Sequence, residues 1–151
     1  MNDSMQSREK HVDMRHKTML TLWAALLSAL GLYFLLSLFA PGPEAEPESA
    51  FSMVLAGLSV VGISTVIVSL VIRRRFTSQA EEKQTPALVQ TGLIVSLALC
   101  EIVGLAGLLV HFATGDRFYF VLFIISAVGM LLNFPRRNEL ILATYRQTGS
   151  N

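Results

Sequence analysis

The sequence predicts an all-α polytopic membrane protein with four transmembrane helices and both termini cytoplasmic. Three observations carry this reading. The 151 residues are 52% apolar and only 15% charged, with a mean hydropathy of +0.54, against roughly 25% charged in an ordinary soluble domain. The apolar residues fall in four blocks of 17 to 25 residues, the length a helix needs to cross a hydrocarbon core. Lys and Arg alternate between the connecting segments, as the positive-inside rule requires.

Residues 1–17 form a polar cytoplasmic segment in which Arg8, Lys10, Arg15 and Lys17 are offset by Asp3, Glu9 and Asp13. This is too sparse for a polybasic lipid switch. The first span is 18–40. Its basic flank is like that of a signal peptide, but the apolar run is long and Pro41 follows the only small cleavage candidate, Ala40. An uncleaved signal anchor is expected. Trp23 lies near its basic end, and Tyr33 lies deeper, where its hydroxyl needs a partner.

Residues 41–50 (PGPEAEPESA) carry three prolines and three glutamates and must be a loop. The second span, 51–72, ends at Arg73, Arg74 and Arg75. Ser52, Ala56, Ser59 and Gly62 recur along it, a spacing that permits close approach of another helix. A polar loop, 73–86, leads to the third span, 88–112. There Gly92, Ser96, Cys100 and Gly104 repeat every four residues, and Gly107 extends their ridge. Gly115 and Asp116 supply the next turn. The fourth span, 118–134, opens on an aromatic belt and closes at Pro135, Arg136 and Arg137. The tail, 135–151, contains ELILATYR, which suits a short amphipathic turn on the surface.

By segment, Lys plus Arg number four before the first span and none in the first loop. The second loop holds four, the third only Arg117, and the tail three. This orients the glutamate-rich loop outward in a cell (inner) membrane.

Glu101 stands near the middle of the third span. An ionised side chain at the bilayer centre costs about 2.5–3.5 kcal/mol on insertion scales. The group is therefore protonated, paired inside a bundle, or turned to a wet cavity. It lies about 100° around the helix from Cys100, flanking the small-residue ridge rather than facing open lipid. Ridges on the second and third spans predict that these two pack as an antiparallel hairpin.

At this hairpin the residues Leu97-Ala98-Leu99-Cys100-Glu101, followed by Gly107-Leu108-Leu109-Val110, resemble the outer helix of the rotor-ring c subunit of ATP synthases. Gln79-Ala80-Glu81-Glu82-Lys83 and the arginines before it are similar to that family's polar cytoplasmic loop. The resemblance covers about 60 residues. It implies that Glu101 is the position that binds and releases a transported proton or sodium ion. The second span departs from the family in having only Gly57 and Gly62 where a run of alternating glycines is expected.

A proton site also follows from the residues alone, because burial favours the neutral form of a carboxyl and makes it a reversible proton acceptor. Sodium is disfavoured because Ile102 and Val103 follow Glu101 and offer no oxygen ligands. No other Asp or Glu and no Lys or Arg lies inside a span, so conduction needs a second copy or another membrane subunit. The alternative is a structural or accessory subunit in which protonated Glu101 hydrogen-bonds a neighbouring helix.

No nucleophile–base pair or two-histidine metal motif marks an enzyme, and no cofactor or metal is expected. The net charge of +1 gives no reason to expect nucleic acid as a partner. The single cysteine excludes an internal disulfide.

Overall fold

A computed structural model of the chain describes residues 2–40, 42–43, 49–115 and 117–144, and side chains for 10, 12–40, 42–43, 53–115 and 117–144. The glutamates at 44, 46 and 48, Asp116 and the end of the tail lie outside the described residues. Among the described residues the structure is all-helical: α1 Asn2–Phe39, α2 Ser49–Lys83, α3 Pro86–Thr114, α4 Phe120–Leu132 and α5 Arg137–Thr144. Within α1 to α3, three stretches are long and apolar enough to cross a membrane, Val12–Phe39, Met53–Lys83 and Pro86–Thr114. The chain is therefore multi-pass by length and composition. A fourth span exists only if α4 and α5, bent by 44°, are taken together.

Three elements differ from expectation. The predicted loop 73–86 is mostly helix, because residues 76–83 contain no Gly or Pro and include strong helix formers. The connection shrinks to Gln84 and Thr85. Gln84 takes a left-handed φ of 50°, and the Thr85 N–H donates to the Ala80 carbonyl at 3.0 Å, closing α2 with a Schellman-type cap. Pro86 then opens α3, where its missing N–H costs nothing. At the far end Gly115, with φ 64°, donates its N–H to the His111 carbonyl.

The expected fourth span, 118–134, is a helix for only 13 residues, about 20 Å. Pro135 is fully buried and cannot continue it. The tail does not lie loosely on a surface: α5 turns back onto the bundle with Leu140 and Ala143 fully buried. It is held by Arg73 Nη2–Glu139 Oε2 at 3.1 Å and Arg137 Nη2–Asp13 Oδ1 at 2.8 Å.

The bundle is sewn by heptad stripes. On α2 the buried positions are Leu55, Gly62, Val66, Ser69, Arg73 and Ala80. On α3 they are Val89, Leu93, Ser96, Leu97, Cys100, Val103, Gly104 and Gly107, with Gly92 at the base. The cross-contacts run α2 antiparallel to α3, with α1 parallel to α3. Trp23 donates to the Met130 carbonyl at 2.9 Å and meets the Phe134 ring edge-on at 5.1 Å. His111 Nε2 meets the Ala40 carbonyl at 3.1 Å at the opposite end. The basic stretches of α1, α2 and α5 thus share one end of the bundle.

Candidate functional site

Glu101 is the sixteenth of 29 residues in α3, so about 22 Å of helix lies on either side of it. Its carboxyl is half-buried and faces α1 rather than α2. Leu30 of α1 fills the notch at Gly104, where an added Cβ would collide with its side chain. One turn further along α1, Tyr33 leans back toward the helix N-terminus, as helical side chains do. Its hydroxyl donates to Glu101 Oε1 at 3.4 Å. The partner that the deep tyrosine requires is therefore the half-buried acid.

No other hydrogen bond reaches the Glu101 carboxyl among the described residues. Ser59, Ser64 and Thr65 donate to the carbonyls of Leu55, Val60 and Val61 on their own helix. None of the three hydrogen-bonds to Glu101. Among the described residues no group of three or more His, Cys, Asp or Glu could hold a metal ion. Chemically, a tyrosine hydroxyl can donate to a carboxylate and can accept from a carboxylic acid, so the contact is compatible with either form.

The small residues divide by helix. On α3, Gly92 faces Phe76 of α2, Cys100 lies near Val66 and Gly129, and Gly104 and Gly107 face Ser126, Leu122 and Phe123 of α4. The ridge therefore meets α2 at its base and α4 above, rather than α2 throughout. Of the predicted α2 packing residues with described side chains, only Gly62 is buried, against Val103, Leu122 and Ile125. Ala56 is exposed and Ser59 is half-buried, so within this chain Ala56 does not pack against a neighbouring helix as expected. The physical reason is phase: Ala56 lies one residue, about 100°, off the stripe through Leu55 and Gly62. The Ser52 side chain lies outside the described residues.

A polar cluster beside Glu101 escaped the sequence reading. Ser96 Oγ donates to the carbonyl of Ser69 (2.9 Å) or Gly92 (2.7 Å), and Ser126 Oγ donates to the Cys100 carbonyl at 2.6 Å. Asn133 Nδ2 donates to Ser69 Oγ at 3.2 Å and to the Gly129 carbonyl at 2.9 Å. Ser69 Oγ and Cys100 Sγ stand 3.6 Å apart. All five residues are buried, so α2, α3 and α4 are tied by hydrogen bonds that do not involve Glu101. The available signal was the isolated Asn133 at the end of an apolar run, where an amide needs internal partners. Arg73 was also missed: read as a loop cation, it is 7% exposed and donates to the Phe134 carbonyl at 2.8 Å.

No family model matches this chain, and neither a curated protein nor a solved structure matches it.

Proposed function

We propose that this chain is a four-span inner-membrane subunit, both ends cytoplasmic, whose Glu101 binds and releases a proton at the middle of the bilayer. The observation that carries the reading is the contact between Tyr33 and Glu101 at mid-bundle. A long, single hydrogen bond to a half-open carboxyl suits a group that changes protonation state. The Ser69, Ser96, Cys100, Ser126 and Asn133 cluster fastens α2, α3 and α4 and Trp23 fastens α1 to α4, so the long Tyr33–Glu101 bond is not the sole tie that the rival reading of Glu101 as helix glue would need. The similarity of the α2–α3 hairpin to rotor c subunits points the same way. One carboxyl does not make a conduction path, so the site works against a second copy of the chain or a different membrane subunit.

Carbodiimide labelling of the full chain in native membranes, followed against pH, tests this. Label should appear on Glu101, change reversibly with pH and be absent in Glu101→Gln. Tyr33→Phe, which removes the one hydrogen bond to the Glu101 carboxyl, should change the extent of labelling. Absence of label at every pH, in protein whose helicity is intact, would overturn the proposal and leave the structural role.

A further inference from the structure

The basic end of the bundle contains a pocket of about 330 Å³ between the end of α2 and the α4–α5 bend. Its back wall is the Arg73–Glu139 pair, whose charges cancel. Arg74 and Arg136 also line it, and among the described residues neither guanidinium group has an ion-pair or hydrogen-bond partner. Two exposed arginines and Thr77 line this one cavity together with Glu81, a set of donors that suits a phosphate oxyanion.

The order of residues along α2 adds a second criterion. Leu70, Arg74, Thr77 and Glu81 all line the pocket and follow one helical stripe. Leu70, with Leu132 across the cavity, continues the apolar surface of the spans. Arg74 stands about 6 Å further out, and Glu81 about 10 Å beyond that. The sequence apolar, cationic, hydroxyl, anionic matches a lipid lying with its acyl chains along the bundle, its phosphodiester on the arginines and a cationic amine on the carboxylate. We infer that this pocket binds an aminophospholipid of the phosphatidylethanolamine type. The inference does not depend on Glu101.

Native mass spectrometry of the full-length protein in detergent reads the binding directly. The probes are phosphatidylethanolamine and phosphatidylglycerol of identical acyl composition, glycerophosphoethanolamine, and inorganic phosphate. Phosphatidylethanolamine should be retained in preference to phosphatidylglycerol. The Arg74→Ala/Arg136→Ala double variant should weaken it by about tenfold or more, as loss of charge-assisted phosphate contacts does. Glu81→Gln should abolish the preference while leaving phosphatidylglycerol binding intact. Arg75→Ala, a neighbouring cation outside the pocket, should change nothing. Helicity by circular dichroism accompanies each variant, and Glu81→Gln keeps the test valid if the double variant does not fold. Equal retention of the two lipids by the native protein would overturn the inference. So would an unchanged adduct in a folded double variant, or retention of inorganic phosphate as strong as that of lipid.

Discussion

The Arg73–Glu139 pair should be a principal fastening of α5 to the bundle, and a double-mutant cycle measures it. Arg73 Nη2 lies 3.1 Å from Glu139 Oε2 and 2.8 Å from the Phe134 carbonyl. At an effective dielectric near 20, two unit charges at that separation attract by about 5 kcal/mol. Desolvation of a guanidinium whose side chain is 9% exposed, and solvent screening of a carboxylate that is 22% exposed, remove more than half of this. Arg73→Met keeps the apolar stem but loses both contacts and should cost about 2–3 kcal/mol. Glu139→Gln should cost about 2 kcal/mol, because the arginine then stays buried without its counter-charge. The double variant should cost about 3 kcal/mol, giving a coupling near 1.5 kcal/mol. Unfolding equilibria in mixed micelles, read from the fluorescence of the single tryptophan, Trp23, would supply the four numbers. Its indole packs on Phe134, so the probe sits beside the perturbation. Strict additivity of the two single variants would refute the reasoning.

Other expectations follow from close contacts and exposure. Gly92→Ala would place its Cβ 2.6 Å from Phe76 Cβ, and Gly129→Ala 2.8 Å from both Val66 Cγ2 and Cys100 Sγ. Each should cost about 1–3 kcal/mol of unfolding free energy through overpacking. Gly57→Ala meets nothing within 4 Å and should be neutral, or stabilise by up to about 1 kcal/mol from helix propensity. Gln84→Gly should stabilise by about 0.5–1 kcal/mol, because Gln84 holds φ 50° at the cap of α2; loss of stability in the same assay would speak against the cap. Cys100 is fully buried, so a maleimide should label it only after denaturation; rapid labelling of folded protein would contradict the α2–α3–α4 packing.

How much was legible in the sequence depended on range. The all-helical, multi-pass character followed from block lengths and composition, which act locally. The end of α3 at Gly115 and the stop before Pro135 followed from backbone chemistry that one or two residues impose. The length of α2 did not, because the charges at 73–75 and 81–83 also suit a loop. Helix propensity permits the extension, and the buried Ala80 and half-buried Phe76 packed on other helices fix it. The role of α5 was hidden for the same reason: an eight-residue helix is set by its partners, Arg73 and Asp13, which lie over 60 residues away. At the candidate site, Glu101 announced itself by its cost in lipid, and Tyr33 by its need for a partner. That each supplies the other's partner is a tertiary fact, fixed by how α1 crosses Gly104. The polar cluster around Asn133 was illegible because serine and cysteine read equally well as small packing residues.

The measurement closest to the central claim is infrared difference spectroscopy of the full chain in lipid, titrated between about pH 5 and pH 9 and compared with Glu101→Gln. The account predicts a carbonyl stretch of a protonated carboxylic acid that disappears reversibly as pH rises. The band should be absent in Glu101→Gln and shifted in Tyr33→Phe, where its hydrogen-bond partner is gone. Identical difference spectra for the native protein and Glu101→Gln, with both folded, would show that Glu101 does not exchange a proton and would contradict the account.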